Sequence, residues 1–186
     1  MDEIEAKGLT FLSVLGAIED LRGPAFKDSV IDRMPQESRK ELRYGTVIAS
    51  GWYPVRWYRE LFKAATDVAH DFGFAREVGR ASVRREVRGV HRLLFKVISI
   101  ETLQNHGARF FKSYFRPSEV ATERLAPGLG RTLYRQCVGF DKNLWQEQLG
   151  CIEELLKQAG VALPRVRVLA GGGDGDGHME IETRWR

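Results

Sequence analysis

The residues best suited to hold a metal or act as nucleophiles are four histidines, His70, His91, His106 and His178, and two cysteines, Cys137 and Cys151. No two of the histidines form an H-x-H, H-x-x-x-H or H-E-x-x-H pair, so their spacing offers no multi-histidine metal site. The cysteines are too few for a disulfide framework and lack the close pairing of a zinc site. They read as reduced, half-buried thiols of a cytosolic protein. No Gly-x-Ser-x-Gly elbow or Cys–His arrangement is present, and the expectation is a protein without catalytic machinery. The tract Gly171-Gly-Gly-Asp-Gly-Asp-Gly177 superficially suggests calcium. It has neither the ligand spacing and terminal glutamate of an EF-hand nor tandem repeats, and reads as a hairpin connection.

Charge is informative by its position. Net charge is +4, but the stretch from Arg76 to Lys96 holds seven basic residues and two acidic ones. Arg84, Arg88, Arg92 and Lys96 step by four, with Arg85 among them, on the side of a helix opposite its apolar seam. That stripe reads as a solvated face or as a docking surface for an acidic protein partner. No aromatics interleave with it, so nucleic-acid stacking is not expected. Arg80 falls at the seam edge, where a paired, semi-buried arginine is expected.

Aromatic residues form two groups, Trp52, Tyr53, Trp57, Tyr58 and Phe62, then Phe110, Phe111 and Tyr114. At helical spacing these fill a core or a dimer seam, or else line a pocket between two helices. A pocket would be lined by Trp52, Trp57, Phe110 and Tyr114, with Arg80 as polar anchor.

The elements that must position these residues follow from periodicity. Phe11, Val14, Leu15, Ile18 and Leu21 predict a helix over 7–22, stopped by Gly23-Pro24. A short helix carries Phe26, Val30 and Met34. Pro54 opens a helix whose apolar face is Val55, Tyr58, Leu61, Phe62, Ala65 and Val68 and which ends near Gly73. The longest helix, 74–97, has a seam of Val83, Val87, Val90, Leu94 and Val97. Ser99 caps the next, which runs through Tyr114 to a stop at Pro117. Glu119–Leu125 and Thr132–Val138 predict a hairpin around Pro127-Gly-Leu-Gly130. Asp141 caps a helix with Leu144, Trp145, Leu149, Ile152 and Leu156 on one face. A second hairpin pairs Arg165–Val168 with His178–Trp185, placing Arg165 and Arg167 opposite Glu180 and Glu182. Helices followed by strands argue one α+β domain spanning 1–186, its helical half preceding a small antiparallel sheet packed against helices. The longest apolar run, Leu93–Ile100, is too short to span a bilayer, and the acidic N-terminus is not a secretory signal.

This order resembles the ligand-binding fold shared by haem-binding nitric-oxide sensor domains, vinyl-reductase-like domains and vesicle-tethering TRAPP subunits. Gly51-Trp-Tyr-Pro-Val-Arg-Trp-Tyr58, Val78-Gly-Arg-Ala-Ser82, Gly89-Val-His-Arg-Leu-Leu94, Ser99-Ile-Glu-Thr-Leu103, Arg109 through Tyr114, and Gly150 to Arg186 are similar to an uncharacterised family expanded in myxobacteria. The resemblance implies a homodimer. From the haem-binding relatives it also implies a proximal histidine near His106, although their Tyr-x-Ser-x-Arg propionate motif is replaced by Tyr134-Arg-Gln-Cys-Val138. The expected function is a non-enzymatic, cytoplasmic small-molecule sensor or signalling adaptor with no resident cofactor. One alternative is an adaptor docking acidic partners on the basic face of helix 74–97. A second is a haem-binding gas sensor using His106.

Overall fold

The computed structural model describes residues 4–87 and 100–185. Among them are seven helices and two small antiparallel sheets, the helices predominating in the first half, as the α+β reading expects. Helix α1 (Gly8–Arg22) buries Phe11, Val14, Leu15 and Ile18 along one stripe. Gly23, at φ 86, ends it, and Pro24 opens α2 (Pro24–Arg33), where a missing N–H is tolerated. The polar stretch after Pro35 forms a short helix, α3 (Gln36–Arg43), which buries only Ser38 and Leu42.

The first sheet was not legible beforehand. Glu5–Lys7 (β1) pairs antiparallel with Trp52–Pro54 (β2) on one side and Phe115–Arg116 (β3) on the other. Its central Ala6 is buried between the half-buried Glu5 and Lys7. Three residues are too few to display a strand's alternation, and only the distant partners make this one.

Pro54 then leads into α4 (Val55–Ala69), which buries Val55, Trp57, Tyr58, Leu61 and Phe62. This helix stops short of the expected Gly73, because His70 adopts the left-handed conformation at φ 51. Asp71 accepts a hydrogen bond from the Gly73 N–H at 2.7 Å, and the chain turns into α5 (Phe74–Glu86). The expected continuation of α5 to Val97 lies outside the described residues. So do Arg88, His91, Arg92 and Lys96 of the basic stripe.

Helix α6 (Ile100–Tyr114) leads through β3 into the second sheet, of order β4-β5-β7-β6. Its members are β4 (Glu119–Ala126), β5 (Leu129–Arg135), β6 (Arg165–Gly171) and β7 (Met179–Arg184). The first hairpin starts its return strand at Leu129, before the expected Thr132. In the second, Arg167 faces Glu182 as expected, but Arg165 lies opposite Arg184, and Glu180 pairs with Arg131 of β5 at 3.3 Å. Val166 and Val168 lie opposite Thr183 and Ile181, and the register shifts only beyond them, between Val168 and Ala170.

Helix α7 (Lys142–Gln158) is capped at its start by Asp141, which accepts from the Leu144 N–H at 3.0 Å. The glycine-rich hairpin connection closes on the same helix end. Asp174 accepts from the Lys142 N–H at 3.0 Å, and the Asp176 carbonyl accepts from the Trp145 indole at 3.2 Å. Gly171, Gly172 and Gly175 hold positive φ there, giving the connection the tight curvature that brings both aspartates onto α7.

Candidate functional site

The interior divides at Tyr58 of α4. On one side its ring joins an aromatic block. Phe115 lies 5.9 Å from it, and Phe111, Phe140, Tyr134 and Trp145 continue the block with ring centroids 4.6 to 6.1 Å apart. Edge-on and tilted contacts at these separations are those of a filled core.

On the other side the Tyr58 hydroxyl leaves the apolar block and donates to Oε1 of Glu147 at 3.3 Å. The same carboxylate oxygen accepts from the Cys151 thiol, one helical turn on, at 3.2 Å. Cys151 also lies 3.8 Å from the Ser82 hydroxyl and 3.4 Å from the Gly79 carbonyl oxygen. Glu147 is only 4% exposed. Burial raises its carboxyl to about 7, with Glu86 adding to the rise, while the Cys151 and Tyr58 hydrogen bonds pull the other way. Burial, then the Glu147 charge, pushes both the Cys151 thiol and the Tyr58 phenol upward, so each is a neutral donor. Tyr114, half-buried on α6, is pushed up to about 12 by burial and then by Glu86.

Two glycines create this cluster. A Cβ on Gly79 would lie 2.2 Å from the Glu147 carbonyl oxygen, and one on Gly150 would lie 2.2 Å from the Arg76 carbonyl oxygen. Helices α5 and α7 therefore touch backbone to backbone, which draws the side chains flanking the contact indoors. Along the same seam Arg80 meets Glu153 at 2.6 Å, Arg76 pairs with Glu153 as well, and Arg84 meets the buried Glu154 at 2.9 Å. Arg85 turns the other way, to Asp20 of α1 at 2.9 Å. Those two members of the basic stripe are thus engaged within the chain.

The residues expected to line a pocket are not gathered in one place. Trp57 is buried and stacks on Tyr53 at 5.9 Å, its indole N–H without a hydrogen-bond partner among the described residues. Trp52 sits on β2 with the Arg116 guanidinium 4.0 Å above its ring. Phe110 is 46% exposed, while its neighbour Phe111 enters the aromatic block. Arg80 is tied to Glu153, and Tyr114 borders the polar cluster through Glu86. His106 lies on α6; its side chain is outside the described part of the structure. Among the described residues no three His, Cys, Asp or Glu side chains group as metal ligands.

Sequence reasoning missed Glu147, although a signal was present. Leu144, Glu147, Cys151 and Glu154 step by three, four and three, so the buried stripe of α7 continues through two acids. Reading only the apolar members of the helix concealed it.

No known family's sequence model matches the chain, and no curated protein is significantly similar in sequence. Solved structures are similar over nearly the whole length. An H-NOX protein mutant from K. algicida, in its Fe(II) unliganded state, has a TM-score of 0.71 at 15% identity, covering 97% of this chain and 96% of that one. A structure from work on modulating haem redox potential by protein-induced porphyrin distortion has a TM-score of 0.68 at 16% identity, covering 96% and 99%. A doubly substituted Tt H-NOX has a TM-score of 0.66 at 16% identity, covering 97% and 95%. The fold is that of the H-NOX domains, the haem-binding nitric-oxide sensors that the order of elements resembles. The likeness overturns one expectation. A domain without a resident cofactor was expected, yet this fold recurs in proteins whose haem is itself the subject of study, and that expectation is withdrawn.

Proposed function

We propose that this chain is a non-enzymatic, cytoplasmic sensor domain of the H-NOX type that holds haem with His106 as axial ligand. The observation that supports it is the extent of the likeness, 97% of this chain against 96% of an Fe(II) H-NOX protein at a TM-score of 0.71. The chain fits the group at one position and departs from it at another. Helix α6 carries a histidine, and a proximal histidine suffices to ligate haem iron. The two cysteines are poor substitutes, because burial pushes Cys137 up to about 12 and Cys151 upward, and a thiol binds iron as the thiolate. At the propionate position the Tyr-x-Ser-x-Arg string is missing, and Tyr134 is 5% exposed, packed on Phe111 and Trp145. Other side chains must therefore hold the propionates.

When bound, haem would supply an iron able to take up a small ligand. The chain's own share is to present His106 from a helix that is fixed at its C-terminal end, where Phe111 enters the aromatic block. Ultraviolet–visible absorption of the protein, as purified and after addition of hemin, tests the reading. A Soret band that is lost or shifted in His106→Ala supports it. No Soret band after hemin addition, or one indifferent to His106→Ala, overturns it.

A further inference from the structure

A carboxyl group closed inside a protein needs a cation, a metal or a proton, because an isolated ionised carboxylate in low-dielectric surroundings is strongly disfavoured. Glu147 has neither of the first two among the described residues. Its hydrogen-bond partners are the neutral hydroxyl of Tyr58 and the neutral thiol of Cys151. The nearest arginines of α5 are committed elsewhere, Arg76 and Arg80 to Glu153 and Arg84 to Glu154. The titratable groups that face it are Tyr58 from α4, Glu86 from α5 and Cys151 on its own helix, none of them basic. Tyr114 of α6 and Tyr134 of β5 feel the charge of Cys151 rather than that of Glu147. Its own backbone is held against Gly79, so the helix cannot shift to carry the carboxylate out to water without parting the seam.

We propose that Glu147 is a proton-operated latch on the α5–α7 seam. Neutral, it ties α7 to α4 through Tyr58 and sits in a closed seam. Ionised, it places an uncompensated negative charge there, beside Glu86, and favours opening of the seam. The direction of the pH dependence follows from the raised carboxyl. Folded at about 7 against an ordinary 4.5, Glu147 binds more protons in the native state than in the unfolded one across that interval. The stability that Glu147 contributes is therefore largest on the acid side and is lost as pH rises through about 7. This inference does not rest on haem and is measured with no ligand added.

The test follows the thermal midpoint from pH 5 to 8.5 in the wild type and in Glu147→Gln, which keeps the shape of the neutral acid. In parallel, the carboxyl carbon resonances of glutamate-labelled protein are titrated. The wild-type midpoint is expected to fall by about 5 °C or more across the interval, with one glutamate titrating near neutrality. In Glu147→Gln the fall is reduced and that resonance is gone. Tyr58→Phe removes a donor to the anion and should move the titration to higher pH. Parallel pH profiles in wild type and Glu147→Gln, or a Glu147 resonance titrating in the ordinary carboxylate range, overturn the latch. Where Glu147→Gln does not fold, the wild-type resonance decides, assigned by its displacement in Cys151→Ser. A failed latch leaves the absorption test of the haem reading untouched.

Discussion

Helix α7 presents two faces to the interior, and they hold the protein together by different means. Trp145 faces the aromatic block, with Phe140 at 4.6 Å and Tyr134 at 6.1 Å, and contributes through area removed from water. The opposite face carries Glu147, Cys151 and Glu154 against α5. There the association rests on backbone contact at two glycines and on ion pairs and hydrogen bonds that must all be satisfied. Nondirectional packing tolerates many sequences, whereas a closed polar seam has few acceptable states and can be moved by one proton. Tyr58 belongs to both, its ring in the block and its hydroxyl on Glu147.

That contrast can be broken from either side. The largest loss is expected for Trp145→Ala, about 4 kcal/mol from the cavity left among the rings, read by chemical denaturation. Its effect should be independent of pH, unlike that of Glu147→Gln. Gly150→Ala should cost about 3 kcal/mol, because the new methyl meets the Arg76 carbonyl of a facing helix that cannot rotate away. A cost below about 1 kcal/mol would show that the helices separate readily there. Arg84→Ala should cost less, about 1–2 kcal/mol, since the arginine is 43% exposed although its partner Glu154 is buried. This last loss should shrink in a double variant with Glu154→Gln, and full additivity would disprove the coupling between the two.

Much of the frame could be read in advance. The stripe of Phe11, Val14, Leu15 and Ile18, the Gly23-Pro24 break, the Asp141 cap and the two hairpins are local signals, each set by nearby residues. Legibility failed wherever the deciding partner was remote. Ala6 becomes part of a strand only because residues 53 and 115 arrive beside it. Phe110 and Phe111 are equivalent in type, and their opposite fates depend on which side of α6 the sheet covers. The basic stripe showed its cations but not the acids of α7 and α1 that take Arg84 and Arg85.

The sequence by itself determined the order of the main helices and of the two hairpins, because periodicity, caps and turn residues act over a few positions of chain. It also set the residues able to act, His106, Glu147 and the cysteines among them. Only the tertiary structure decided what surrounds them. It brought Gly79 against Glu147 and Gly150 against Arg76, and it buried a carboxyl group that has no cation beside it among the described residues. A carboxyl's proton affinity is a property of its surroundings, and those surroundings come from helices far apart in the chain.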